Sequence, residues 1–252
     1  MLETRDLTVR FGGHVAVSAV SCAFAPGTLT AIVGPNGAGK TTYFNLISGQ
    51  IKASAGAVTL NGRDLTGLSA PERTRAGLGR AFQLTNLFPQ LSVLENVRLA
   101  VQAQAGAGLD LWRIWSDRRD LLQKAEAVLE AVALADKRHD KAASLPHGDQ
   151  RKLEVGILMA LEPQVFMFDE PTAGMSVDEV PVILNLIRQL KADKTKTILL
   201  VEHKMDVVRE LSDRIIVLHN GELVADGEPE AVIASPVVQQ AYLGVSPQEV
   251  AP

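Results

Sequence analysis

Cysteine is nearly absent: Cys22 stands alone in 252 residues. An internal disulfide is excluded and a reducing compartment is expected. Cys22 reads as a small buried hydrophobe rather than a reactive thiol. Long apolar runs are missing too. A membrane span needs about 18–20 apolar residues. The most apolar region, around 153–168, is broken by Glu154, Glu162 and Pro163. Any membrane association is therefore expected to come through a partner. The first residues, MLETRDLTVRF, carry acids and no apolar centre, so no secretory signal is expected. Positive charge is not in excess either. Lys and Arg total 25 against 29 acids, a net charge of −4. No global basic field draws the chain to nucleic acid. Internal repeats and low-complexity tracts do not occur.

What is present is an ordinary soluble composition, 46% hydrophobic and 21% charged. The length fits one large domain, or a core domain with a lobe inserted. LTVRFGG, HVAVSAVSCAF and TLTAIVG alternate like strands, with Pro26-Gly27 marking a turn. KTTYFNLISG reads as a helix ending at Gly49, and AVTLNGRDL as a hairpin at Asn61-Gly62. From about 84 to 150 the spacing turns helical, in LSVLENVRLAVQAQ and DLLQKAEAVLEAVAL. VFMFDE and TILLVEH then read as buried strands around the helix VILNLIRQL. DRIIVLHNGELVADG closes as a hairpin at Asn220-Gly221. Buried strands alternating with helices predict a parallel sheet.

GPNGAGKTT, residues 34–42, carries the strongest chemical signal. It fits G-x-x-x-x-G-K-[ST] between an apolar strand and a helix. Gly34, Pro35, Asn36, Gly37, Ala38 and Gly39 let backbone N–H groups wrap a phosphate chain. Lys40 is expected to reach the outer phosphates, and Thr41, followed by Thr42, to hold Mg²⁺. Asp169 and Glu170 end the strand VFMFDE. Beside a P-loop, Asp169 fits the Mg²⁺ shell and Glu170 can polarise a water. Gln83 and His203 each follow a predicted strand, in GRAFQ and LLVEH. Alone, each reads as a loop residue.

Taken in order, GPNGAGKTT, AFQ, LPHGDQRKLE, FMFDEPTAG and VEH resemble the ABC ATPases, the nucleotide-binding subunits of ABC transporters. The resemblance runs from about residue 2 to 243. It implies an α/β P-loop ATPase core in which an antiparallel N-terminal β subdomain accompanies a mixed sheet. A single ABC ATPase domain would span 1–252, with a helical subdomain inserted at about 84–150 and a short tail over 236–252. The family's roles then fall on matching positions. Lys40, Thr41 and Asp169 would bind MgATP, with Gln83 sensing Mg²⁺ and water. Glu170 would be the catalytic base, and His203 the histidine that holds the γ-phosphate. Phe11, in VRFGG, would stack on adenine where relatives often carry Tyr.

In that family the segment before the DE strand is the signature, typically LSGGQ. It caps ATP held by a facing subunit. Pro146, His147, Gly148, Asp149 and Gln150 would occupy it here. Pro146 replaces the usual Ser, His147 a Gly, and Asp149 the Gln. Losing a bond to phosphate weakens such a site by about 1.5–3 kcal/mol. GDQR-LE nevertheless resembles the branched-chain amino acid transporter ATPases, which often lack the Ser, so a working variant is expected. RFGG, FNLISG, VEHKM and AYLG point the same way. In the D-loop, AGMS carries Ser176 where Asp is usual. Asp178 reads as the N-cap of the next helix, with Pro181 in its first turn.

The resemblance implies two ATPase chains closing over two ATP molecules, either identical or different. It also implies permease subunits, a periplasmic solute-binding protein and a place on the cytoplasmic face of the inner membrane. Leu87, Phe88 and Pro89 are the expected docking loop. Trp112 and Trp115 read as local packing. Other branches stay open. His147 and LEVGILMA also resemble urea and short-amide importers. A YLG-like tail occurs in the lipopolysaccharide-export ATPase, which usually keeps a standard signature. Soluble ABC proteins of translation or DNA repair carry paired ATPase units or long coiled coils, neither of which is seen.

Overall fold

The computed structural model describes residues 1–81, 87–106 and 119–243. The chain forms two compact units. The first comprises Met1–Leu78, Gln164–Glu170 and Leu190–Pro252. It opens with β1 (Leu2–Phe11) and β2 (His14–Phe24), then β3 (Leu29–Val33) and α1 (Lys40–Ser48). β4 (Ala55–Leu60) and β5 (Arg63–Asp64) complete an antiparallel sheet of order β2-β1-β4-β5. Alternation in the sequence is the cause. Leu2, Leu7, Val9, Val17, Val20 and Phe24 turn inward and are buried with Tyr43, Phe44 and Ile47 of α1. Cys22 lies in this core as well. Its N–H donates to Thr4 Oγ1 at 3.0 Å, and the Thr4 and Tyr43 hydroxyls bond at 2.7 Å.

The second sheet is mixed, as the resemblance implies. After β7 (Val165–Asp169), β8 (Thr197–Val201), β9 (Arg214–His219) and β10 (Glu222–Gly227), the order within this unit runs β10-β9-β3-β8-β7. β3, β7, β8 and β9 are parallel neighbours, and only β9–β10 is antiparallel. All residues of β3, β7 and β8 are buried, which explains their unbroken apolar runs. α7 (Met205–Leu211), α8 (Pro229–Ile233) and α9 (Pro236–Leu243) follow the strands.

A short helix, α2 (Ala70–Arg75), lies between β5 and β6 (Leu78–Ala81). Ser69 and Glu72 form a capping box at its start. Its Arg73 is 3% exposed. The guanidinium donates to four backbone carbonyls: Leu46 and Ile47 at 2.7 Å, Thr66 at 3.0 Å and Leu68 at 3.1 Å. It thereby closes the C-terminal end of α1, where Gly49 takes a left-handed C-cap conformation.

The second unit holds Gly79–Pro163 and Pro171–Gln189. It is wider than the helical stretch at 84–150, because α5 (His147–Ala160) packs with α3 (Val93–Gln104) and α4 (Arg119–Ala131). Ser92 caps α3 by accepting from Glu95 N at 3.1 Å. Leu121, Ala125 and Leu129 form the buried stripe of α4. Asn96 of α3 clamps the loop before it. Its Oδ1 accepts from Phe88 N at 2.8 Å, and its amide donates to Phe88 O at 3.1 Å. The Phe88 ring is left 55% exposed and Pro89 is exposed, while Leu87 is half-buried. Trp112 and Trp115 lie outside the described residues.

The reading of Asp178 as a helix cap is corrected. α6 runs Val180–Ala192 with Pro181 in its first turn, but Asp178 points to solvent. Glu179 instead folds back on Ser176, accepting from its backbone N–H at 3.0 Å and its hydroxyl at 2.9 Å. Val180 N donates to Ser176 O at 3.2 Å, so the turn is anchored at Ser176.

Glu154 of α5 is buried, with Arg151 at 3.6 Å. Burial pushes its carboxyl up from 4.5 to about 7, against the pull of Arg151. The folded state therefore holds this proton more tightly than the unfolded chain. The stability from this proton is present below about pH 4.5 and is lost as pH rises through about 7. Glu154→Gln is expected to match wild type near pH 4.5 and to exceed it at pH 8, in urea titrations at both pH values.

Candidate nucleotide-binding site

β3 delivers the chain into the Gly-rich loop, and α1 begins at Lys40 with Gly39 as its N-cap. Gly39 has no side chain to cap the first turn, so the N–H groups there are left for a ligand. Lys40 Nζ donates to Gly34 O at 2.7 Å and Pro35 O at 2.9 Å, holding the loop curled around its own ammonium. Burial pulls the Lys40 amine below its usual range, and Glu170 and then Asp169 oppose that pull. Both acids of the DE pair thus act on the P-loop lysine.

A second brace comes from the β9–β10 hairpin. Its two-residue turn, Asn220-Gly221, lies where the sequence places a hairpin, and its φ values of 49° and 80° are those of a type I′ turn. Gly221 N donates to Ala38 O at 3.0 Å, while Gly221 O accepts from Ser18 N at 2.8 Å. A Cβ on Gly221 would lie 2.7 Å from Ala16 O, and one on Gly39 2.6 Å from the same oxygen. Only glycine lets the turn, the loop and β2 approach this closely.

The resulting cavity, about 320 Å³, is lined by Asn36 to Thr42, His14 and Ala16 of β2, Glu170 and His203. Thr41 is an exposed lining residue, and Asp169, the last residue of β7, is 8% exposed. Glu170 takes a left-handed backbone, φ 50°, just past β7. His203 Nε2 lies 2.8 Å from Glu170 Oε1. His203 is itself positioned by Glu202, a neighbour the sequence pattern gave no reason to select. The buried Glu202 carboxylate accepts from His203 N at 2.7 Å and Lys204 N at 3.2 Å. Phe11 closes the β1–β2 hairpin opposite His14, with its ring 51% exposed. Gln83 lies outside the described residues.

In the second unit, Pro146 is the N-cap of α5 and offers no capping side chain. Pro146 and His147 are exposed. Gly148 is covered by the Glu179 carboxylate, so that a Cβ would lie 1.8 Å from Oε1. Asp149 is 5% exposed and pairs with Lys137 and, at 2.8 Å, with Lys152. These lysines outweigh burial and hold its carboxyl below the usual range. Gln150 donates to Leu145 O at 3.0 Å.

Comparisons with known proteins agree with this geometry. The ABC transporter family matches residues 17–173. LivG of Salmonella typhimurium, a high-affinity branched-chain amino acid transport ATP-binding protein, is 39% identical over 97% of this chain and 98% of its own. BraF of Pseudomonas aeruginosa, of the same description, is 35% identical over the same shares. The ADP conformation of MJ1267, an ATP-binding cassette of an ABC transporter, superposes with a TM-score of 0.82 at 30% identity, covering 97% of this chain and 99% of that one. A curled P-loop facing a DE pair, and a family match that begins in β2 and ends just past that pair, lead to one assignment: the chain belongs to the ABC transporter family, as an ATP-binding subunit.

Proposed function

We propose that the chain binds and hydrolyses ATP to power import of branched-chain amino acids through a membrane permease. One observation carries the chemistry. His203 and Glu170 meet at 2.8 Å on the wall of the P-loop cavity. Glu170 is then placed to take a proton from water attacking the γ-phosphate, and His203 to hold Glu170 and the departing phosphate. Lys40 leaves its carbonyl partners to meet the outer phosphates. Thr41 and Asp169 offer hard oxygen donors of the kind Mg²⁺ takes, and the proximity of Asp169 to Lys40 supports that fit. Thr41 and Asp169 would hold Mg²⁺ there, where it would supply charge neutralisation for the phosphates.

Two such chains would face each other, with the α5 N-terminus at Pro146–Gln150 closing on the partner's ATP. The cassette MJ0796, 25% identical over 91% of this chain and 99% of its own at a TM-score of 0.77, is described as dimeric with ADP and Pi bound. No helix among the described residues is long and apolar enough to cross a membrane. The exposed Phe88 ring is the proposed permease contact, reached from the cytoplasmic side. The solute follows from the names of the relatives rather than from the site. The test is a mild-detergent pull-down of the tagged chain from native membranes, with mass spectrometry. A second ATPase chain and multi-span permeases are expected, with a binding protein encoded beside them that takes up leucine. Recovery alone, or with ribosomes or DNA, would overturn the transport reading and leave the ATPase.

A further inference from the structure

We propose that His14 is a nucleotide contact, its imidazole N–H donating to an oxygen of the ribose. The inference rests on the nucleotide reading of the site. Phe11 and His14 are the closing pair of the Gly12-Gly13 hairpin, so their side chains share one face of the sheet. Ala16 falls at the register shift opposite Val9 and Arg10, and it packs against the same core as Val17. His14 and Ala16 both line the P-loop cavity. The start of β2 and the phosphate-binding loop therefore share one cavity. His14 is exposed, and no hydrogen bond or ion pair engages its ring among the described residues.

A nucleotide with its phosphates at Gly39–Thr42 and its base on Phe11 has to pass His14. Its ribose offers acceptor oxygens. An imidazole can donate to them, whereas an aliphatic side chain at this position cannot, so the contact is read as an affinity difference.

The test titrates full-length chain with MgATP, MgADP and inorganic tripolyphosphate by calorimetry. Wild type is compared with His14→Leu and His14→Gln. His14→Leu is expected to weaken ATP and ADP by about five- to tenfold. Tripolyphosphate, which has neither ribose nor base, should bind all three proteins alike. His14→Gln, which keeps a donor, should recover part of the loss. Unchanged ATP affinity in His14→Leu overturns the assignment. So does an equal loss for tripolyphosphate, which would show a disturbed P-loop instead. A wild-type chain that binds tripolyphosphate but not ATP or ADP overturns it also, and one that binds none of the three removes the nucleotide reading beneath it.

Discussion

Glu170→Gln is expected to keep MgATP bound and to lower turnover by about 10²–10⁴-fold. The substitution is nearly isosteric. An amide at this position still reaches His203 across the 2.8 Å gap. It cannot accept a proton from water. The left-handed backbone at φ 50° is equally available to Gln, so the turn after β7 should persist. Removing one negative charge near the triphosphate should also leave ATP affinity equal or improved, since Glu170 acts on Lys40 from the cavity wall. Calorimetric affinity and single-turnover hydrolysis, measured together, separate binding from chemistry. Hydrolysis within about threefold of wild type would place the proton acceptor elsewhere. His203→Ala then distinguishes two arrangements. If His203 only orients Glu170, the double variant falls no further than Glu170→Gln alone.

Arg73→Met should cost about 3 kcal/mol of folding stability, because the thioether fills space but donates nothing to four carbonyls, of which those of Leu46 and Ile47 are buried and those of Thr66 and Leu68 half-buried. For a chain this size that is a fall of about 6–12 °C in melting temperature. Arg73→Lys should recover only part, since an ammonium cannot match the planar fork that reaches Leu46, Ile47, Thr66 and Leu68 together. The two carbonyls from α1 belong to its final turn, so their loss loosens the far end of the P-loop helix. Below the transition, ATP affinity should stay near wild type, because Gly39 and Lys40 sit at the opposite end of that helix. Urea titration and calorimetry read the two quantities separately. A stability change below about 1 kcal/mol would mean that water replaces the guanidinium.

The elements that sequence reading placed well are those whose signals are local. An apolar run, a P-loop pattern or an Asn-Gly pair is complete within about ten residues. Asn220-Gly221 and Asn61-Gly62 were legible for that reason, as were β3, β7 and α1. Arg73 was not, because one arginine in PERTRAG looks like a solvated one until its carbonyl partners arrive from α1 and the loop after β5. α2 is not legible in the same way: its six residues are too few to show a helical period, although Ser69 and Glu72 form a capping box. At Ser176–Asp178 two capping residues stood two positions apart. The choice was made by which of them Glu179 could fold back upon, a geometric matter that composition does not encode. His14 and Glu202 escaped for the same reason as Arg73. Their partners are set by hairpin pairing and by a loop after a strand, and neither is visible from spacing.

The Asn220-Gly221 turn has a practical consequence. Viewed on a topology diagram it is an ordinary hairpin tip, the sort of place chosen for an epitope tag, a fluorophore or a new chain terminus. Its amide and carbonyl, however, are already committed to Ala38 and Ser18. Cargo inserted there would unhook the catalytic loop while leaving the fold standing, and would produce a well-behaved but inert reagent. Gly67, whose backbone is not left-handed and where an added Cβ would meet nothing within 4 Å, is a position at which a reporter can be carried without silencing the protein.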